Sequence, residues 1–227
     1  MSVRVLIATR SEGKLRELQA LFGRAGLQPE TLVGAGIVES AHEDALEGFD
    51  TFELNALAKA RWFAQYSEGR VVFADDSGLE VDALGGAPGV RSKRWSGRGE
   101  LTGSALDIAN NAFLQKSLAI AAAKGSSSRT ACYVCAAACV WADGELVVRA
   151  QSHGRLLSAA RGRGGFGYDP YFLSDELGAT FAEVSARAKL RVSHRGRAFR
   201  ALLDALPPSV LPLMMLVPPV DPVGRSR

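Results

Sequence analysis

A short apolar run that ends in two adjacent acids constrains this chain more than any other feature. The run over residues 71–74 predicts a buried strand, and Asp75, Asp76, Ser77 and Gly78 follow it at once. Acids directly after a buried strand lie at its carboxyl end, where α/β sheets place their ligands. Such carboxylates could hold Mg²⁺ or take a proton from an attacking water. An Asx-type turn is the competing interpretation, because Gly78 can supply an unusual backbone angle.

Strands and helices alternate around this motif. Residues 3–8 predict a strand, and a helical pattern follows a polar turn. Further helices are predicted over 51–65, 102–124 and 195–206, and an antiparallel pair over 130–141 and 145–151. The pattern predicts the α/β class, with a mixed central sheet flanked by helices. The 227 residues suit one generous domain or two lobes around a cleft, over 1–206, with a Pro-rich tail over 207–227.

Composition excludes several classes of protein. A chain with 47% hydrophobic and 22% charged residues is neither disordered nor collagen-like. The excess of 27 Lys and Arg over 24 Asp and Glu is too small to indicate a nucleic-acid binder. The apolar stretches are too short or too interrupted by proline to predict a signal peptide or a membrane span. We therefore expect a cytoplasmic protein with no membrane or nucleic-acid partner.

The polar turn at residues 9–14 is a candidate phosphate-binding loop. It joins a strand to a helix, and the free N–H groups of a helix N-terminus attract anions. Gly13 permits close backbone approach and Lys14 adds a point charge, although the spacing is not that of a P-loop. A plain strand–helix turn with a solvated lysine is the alternative.

Two later stretches are candidates for recognising a base. In 164–170, glycines flank Phe166, which predicts a flexible frame for a stacking ring, and Asp169 could accept from a base or sugar. A structural loop with Phe166 in the core is equally compatible. Further on, Lys189, His194 and Arg195 together offer donors that could read carbonyl oxygens on a heterocycle, although a solvated basic face is the alternative.

The spacing of the three cysteines predicts residues that pack in the core, and it favours neither a metal site nor a disulfide framework. On a strand, Cys135 and Cys139 share one face and Cys132 points to the other. Small buried residues of a core strand are the favoured interpretation.

Taken in order, these motifs resemble the inosine/xanthosine triphosphate pyrophosphatase family, the non-canonical purine NTP pyrophosphatases. The resemblance covers about residues 3–206 and is most specific in the stretches 74–79, 81–84, 86–90, 164–170, and 189 with 193–195. It implies a two-lobed α/β fold around a deep nucleotide cleft, usually as a homodimer. It also implies Mg²⁺-dependent hydrolysis of ITP, dITP or XTP to the monophosphate and pyrophosphate, which keeps deaminated purines out of nucleotide pools.

The resemblance assigns roles to individual residues. Asp76 matches the proton acceptor and metal ligand, and Ser77 matches a substrate contact. The other substrate-binding positions fall in three groups: a triphosphate loop (Thr9, Arg10, Ser11, Glu12, Gly13, Lys14), a base-framing stretch (Phe166, Gly167, Tyr168, Asp169) and residues that favour a 6-keto purine (Lys189, His194, Arg195).

Three positions depart from the family pattern. Ser11 replaces a usual Asn, Ala188 replaces a common acid, and Leu54 stands where the pattern has a metal-binding Glu. We expect Leu54 to raise the Mg²⁺ requirement without removing it. The alternative is a nucleotide-binding member of the family that has lost its metal site and is catalytically weak or inactive.

Overall fold

A six-stranded mixed sheet forms the centre of the computed structural model, which describes residues 4–210. Its strands lie in the order β2-β1-β3-β4-β5-β6. β1 pairs in parallel with β2 and β3, and the remaining pairs are antiparallel. The strands are β1 Arg4–Ile7, β2 Gln28–Thr31, β3 Val71–Val81, β4 Thr130–Trp141, β5 Gly144–Leu156 and β6 Phe172–Ser174. The predicted mixed sheet of the α/β class is confirmed.

Five α-helices flank this sheet in the described part of the chain. They are α1 Glu12–Arg24, α2 Phe52–Ala64, α3 Gly103–Ala123, α4 Ala186–Val192 and α5 His194–Ala205. Three 3₁₀ segments occur at Ala41–Glu47, Asp82–Leu84 and Gly89–Arg94. The predicted helices and the antiparallel pair are confirmed, whereas β2, β6 and α4 were not predicted. Most of the predicted tail, 211–227, lies outside the described residues.

The strand predicted to end at residue 74 continues through the acidic motif. β3 reaches Val81, so Asp75 and Asp76 lie in mid-strand, opposite Ala137 and Ala136 of β4. Both the strand-end placement and the turn alternative were therefore wrong. Because successive side chains of a strand point to opposite faces, the two carboxylates lie on opposite sides of the sheet.

Each face of the sheet carries its own hydrophobic core. On the Asp75 side, Phe73 packs with Phe22 of α1 and Phe199 of α5, and the ring centroids of Phe22 and Phe73 are 4.8 Å apart. On the Asp76 side, Val72 and Ala74 belong to a cluster that includes much of α2. Buried side chains from both faces fix β3 in the middle of the molecule.

A third apolar cluster lies at the far end of β3 and β4. There Leu79 and Val81 pack with Leu114 of α3 and with Phe172. The acidic motif thus occupies the part of β3 between this cluster and the two others.

The cysteines follow the predicted alternation. Cys135 and Cys139 are buried in the Asp75-side cluster, whereas Cys132 packs against the opposite one. Within 4–210, no helix combines the length and the apolar character that a membrane span requires.

Candidate active site

The loop between β1 and α1 is organised around the helix N-terminus. Ser11 caps α1, since its Oγ accepts from the Lys14 N–H at 3.5 Å, and Thr9 Oγ1 accepts from the Ser11 N–H at 3.2 Å. Lys14 Nζ lies 3.0 Å from Asp75 Oδ2, and its side chain is only 15% exposed. Lys14 is therefore part of the buried site and not a solvated lysine.

Two residues of this loop have side chains that are engaged elsewhere. Arg10 donates to both carboxylate oxygens of Glu43, at 3.1 and 2.8 Å, and to the Ile37 carbonyl. Glu12 is exposed and pairs with Arg16 one turn along α1. Because Glu43 also caps the 3₁₀ segment 41–47, Arg10 connects that segment to the loop over residues 9–14.

On one face of the sheet, α2 holds the Asp76 carboxylate. Asn55 Nδ2 donates to Asp76 Oδ2 at 2.9 Å, and Lys59 Nζ lies 3.6 Å from Asp76 Oδ1. Lys59 also donates to Glu47 Oε1 at 2.9 Å. Asn55 and Lys59 are four residues apart on α2, so both project from one side of the helix toward β3.

The charges of this group stabilise one another. Burial alone would lower the pKa of Lys59, but attraction to Asp76 and Glu47 raises it above the ordinary value. Burial would raise the pKa of Glu47, but Lys59 and Lys14 outweigh it and hold that pKa at about 2. Lys59 and Glu47 are therefore both charged at neutral pH.

Sequence reasoning missed Asn55, Lys59 and Glu47 as site residues. For the first two a signal was present, because a buried helix face that carries an amide and a lysine four residues apart is unusual. Glu47 ends a 3₁₀ segment and belongs to no motif. Leu54, expected at a ligand position, leaves its side chain 49% exposed beside Asn55.

This donor set is compatible with a magnesium ion that shares its ligands with a substrate. Within residues 4–210, no group of three or more His, Cys, Asp or Glu is placed to hold a metal ion. Asp76 and Glu47 instead present two carboxylates on either side of Lys59 Nζ. Mg²⁺ commonly takes one or two protein carboxylates and completes its shell with water and phosphate oxygens.

On the other face of the sheet, Asp75 is held by cations. Arg195 donates from Nε and Nη2 to Asp75 Oδ2, both at 3.2 Å, and from Nη2 to Ser77 Oγ at 2.7 Å. Burial would raise the pKa of Asp75, but Lys14 and Arg195 together hold it far below its ordinary value. Asp75 is therefore an ionised structural partner of the cations around it.

Glu17 of α1 joins the two cations that the sequence singled out. It accepts from Arg195 Nη1 at 2.6 Å and lies 2.7 Å from Lys189 Nζ, and Lys189 also bonds Asp169. Lys189 and Arg195 are 4% and 1% exposed, which rules out a solvated basic face. The positive charges of both residues are compensated by neighbouring acids. Sequence reasoning missed one of these acids, Glu17, which lies one turn after Lys14.

Phe166 connects the stretch 164–170 to the loop over residues 9–14. Its ring lies against Gly13, where an added Cβ would come within 2.6 Å of Phe166 Cδ1. Lys189 Nζ lies 4.8 Å from the ring centroid. Phe166 is half-buried at this junction and is not a core residue.

Hydrogen bonds within the stretch and to neighbouring segments fix the rest of residues 164–170. Asp169 Oδ2 accepts from the Phe166 N–H at 2.9 Å, and Tyr168 donates its hydroxyl to the Ser92 carbonyl at 2.7 Å. Through its hydrogen bonds, the buried Asp169 carboxylate holds the Phe166 backbone and the Lys189 side chain in place.

His194 lies beneath this arrangement. Its ring stacks on Tyr133 with centroids 4.5 Å apart and planes 4° from parallel. Burial, with Arg195 and Lys189 nearby, lowers the pKa of His194 well below its usual value. His194 is therefore a neutral ring at neutral pH.

A mixed α/β sheet with a charged helix N-terminus, lysine-linked carboxylates and a half-buried aromatic ring is typical of enzymes that act on nucleotides. The chain belongs to the Ham1 family, whose model matches residues 5–205. The resemblance inferred from the motifs is thereby confirmed.

Relatives and solved structures agree with this membership. The chain is 47% identical to a dITP/XTP pyrophosphatase of Mycolicibacterium paratuberculosis, over 89% of this chain and 95% of that one. It is similar in structure to a HAM1 protein from Coxiella burnetii, with a TM-score of 0.73, 30% identity, and 88% and 96% coverage. A nucleoside-triphosphatase / dITP/XTP pyrophosphatase from Mycobacterium abscessus has a TM-score of 0.64, 38% identity, and 88% and 99% coverage.

Proposed function

We propose that this protein is a Mg²⁺-dependent pyrophosphohydrolase that converts dITP, XTP and ITP to the monophosphate and pyrophosphate. The observation that carries the proposal is the Asp76 carboxylate, oriented by Asn55 and shared with Lys59 beside Glu47. Relatives that bear the name dITP/XTP pyrophosphatase over nearly their whole length support the choice of substrate.

In this proposal, the triphosphate lies between the N-terminus of α1 and the two lysines. The free N–H groups of the first turn attract phosphate oxygens. Lys14 and Lys59 add positive charge from the two sides of β3. Lys59 is 8% exposed, so little water screens its charge from a bound phosphate.

Asp76 and Glu47 are the residues that would hold the magnesium ion. When bound, Mg²⁺ polarises phosphoryl oxygens and offsets the charge that develops on them. Glu47 would take the metal-binding role that the family pattern gives to a Glu at the position of Leu54.

Asp76 accepts the proton of the attacking water. The Asn55 amide holds Oδ2 of Asp76 by a hydrogen bond. This bond orients Oδ1 toward Lys59, where we place the triphosphate. Positioned bases of this kind contribute roughly a hundredfold to ten-thousandfold to a rate.

Lys189 and Arg195 select the base, which stacks on Phe166. Lys189 uses two of its donors on Glu17 and Asp169, and Arg195 uses four of its N–H contacts on Glu17, Asp75 and Ser77. A lysine has three donors and an arginine five, so among residues 4–210 one N–H of each has no partner, and we assign it to the ligand. An oxygen at C6 of the purine accepts from these donors, whereas the amine of adenine does not.

The test is pyrophosphate release from dITP, XTP, ITP, GTP and ATP across a Mg²⁺ titration. We expect release from the first three and far slower turnover of ATP. Binding of ITP without release at any Mg²⁺ concentration would instead support the non-catalytic alternative.

We further propose that the protein acts as a homodimer in the cytoplasm, where nucleotide pools are found. This proposal rests on the resemblance to the inosine/xanthosine triphosphate pyrophosphatase family, whose members are usually homodimers. Sedimentation analysis tests the dimer, and a single monomer species at micromolar concentration would contradict it.

A further inference from the structure

The loop that carries Phe166 is held from outside by helix α3. Two side chains of α3 bind the backbone of Gly167, the residue after Phe166. The Gly167 N–H donates to Asp107 Oδ2 at 2.8 Å, and Asn111 Nδ2 donates to the Gly167 carbonyl at 2.9 Å. Asp107 and Asn111 are four residues apart and so share one face of the helix.

A single helix therefore forms hydrogen bonds with both the N–H and the carbonyl of Gly167. Gly167 has a φ of +62°, a conformation that glycine adopts without strain. Asn111 is 7% exposed and also donates to the carbonyl of Asp107, so its amide has little freedom to rotate. We call these two side chains the Gly167 clamp.

The helix that supplies the clamp is itself anchored. Asn110 accepts from the Ser96 N–H at 2.8 Å and donates to the Lys93 carbonyl at 3.0 Å, which fastens α3 to the segment 89–96. Ser92 of that segment donates to the Gly89 carbonyl and accepts from the Leu79 N–H of β3 at 2.8 Å. The clamp is thus fixed relative to the strand that carries Asp76.

We propose that Asp107 and Asn111 are positioning residues that set the Phe166 ring against the purine and so determine affinity for the base. The inference rests on the proposed function, because it takes Phe166 as the stacking residue. Neither side chain has to touch the substrate, since each acts through the backbone of Gly167.

The chain offers matched variants for the test. Asp107→Ala and Asn111→Ala each remove one bond to Gly167, whereas Asp107→Asn keeps an acceptor oxygen. Gln115→Ala removes another side-chain amide of α3, which donates to the Leu157 carbonyl at 3.0 Å and forms no hydrogen bond with Gly167 or with the segment 89–96. Steady-state kinetics on dITP and hydrogen exchange of the stretch 164–169 are measured for all four and for the natural chain.

We expect both clamp deletions to raise the KM for dITP about fivefold to tenfold, with kcat within about twofold. Exchange in 164–169 becomes faster in the same two variants. Asp107→Asn behaves like the natural chain, and Gln115→Ala lowers the melting temperature without changing KM. An unchanged KM in both clamp deletions, or an equal rise in Gln115→Ala, overturns the inference.

Failure of the proposed function has a separate signature. If the natural chain binds ITP in calorimetry but releases no pyrophosphate, the proposed hydrolysis fails, and the clamp is judged on the Kd for ITP by the same criteria. If the natural chain binds no ITP, both proposals fall.

Discussion

Asp75 and Asp76 are neighbours in sequence, but they serve opposite faces of the sheet. Asp75 is almost completely buried and is held by Lys14 and Arg195. Asp76 is held by an uncharged amide and by a lysine that it shares with Glu47. Asp75 is therefore committed to structure, whereas in the proposed function Asp76 is available to a metal ion and a water.

The largest effect is expected at the available carboxylate. Asp76→Asn keeps the shape of the side chain and removes its charge, so kcat for dITP falls by about a thousandfold. ITP still binds in calorimetry, because the loop before α1 and the base-side residues are unchanged. Turnover like that of the natural chain would remove Asp76 from the chemistry.

Asp75→Asn tests the structural half of the comparison. Removing one partner from a buried ion pair leaves Arg195 and Lys14 poorly compensated, which costs about 3 kcal/mol or more in the free energy of unfolding. Urea denaturation measures the loss. Asp76→Asn is the matched control, and it costs about 1 kcal/mol, because Lys59 keeps its bond to Glu47.

Glu47→Gln sharpens the assignment of the metal ligands. Losing one of two carboxylates raises the Mg²⁺ concentration for half-maximal activity about tenfold. Leu54→Glu tests the expectation, drawn from the family resemblance, that Leu54 raises the Mg²⁺ requirement. We expect instead a shift of less than about twofold, because Leu54 is 49% exposed and one residue along a helix turns its side chain by about 100° from that of Asn55. A large shift in Leu54→Glu together with none in Glu47→Gln would return the ligand role to position 54.

The two faces also differ in their response to acid. In the folded protein the pKa of His194 lies below its ordinary value of 6.5. As the pH falls through 6.5, His194 therefore takes up a proton in the unfolded chain but not in the folded one, and the free energy of unfolding decreases. Between pH 7.5 and 5.5 the expected loss is about 1.4 kcal/mol, and His194→Gln abolishes it. The pKa of Glu47 is lowered to about 2 in the folded protein. The stability that its ionised carboxylate contributes is therefore lost only as the pH falls below the ordinary pKa of 4.5. Equal pH dependence in His194→Gln and the natural chain would contradict this assignment.

The sequence predicted local structure well where one periodicity dominated. The helix predicted over 51–65 from its apolar spacing is confirmed as α2, and Thr51 caps it. β3 was cut short, because two acids within a buried strand look prohibitive unless their counter-charges are known. Those charges come from Lys14, Lys59 and Arg195, which lie far apart in the chain.

The site was recognisable as a set of motifs but not as a network. The stretches around Lys14, Asp76, Phe166 and Lys189 are marked by residue type and spacing. Glu17 and Glu47 carry no such mark, because an acid on a helix or in a 3₁₀ segment is ordinary until folding places it beside a buried cation. Only the tertiary structure shows that the proposed base site is compensated in charge.

Pyrophosphate release from dITP with Mg²⁺ present, compared between the natural chain and Asp76→Asn, decides whether Asp76 carries the chemistry. We expect rapid formation of dIMP and pyrophosphate by the natural chain and almost none by the variant. Intact dITP in the presence of the natural chain at every Mg²⁺ concentration, or equal rates for the two proteins, would contradict it.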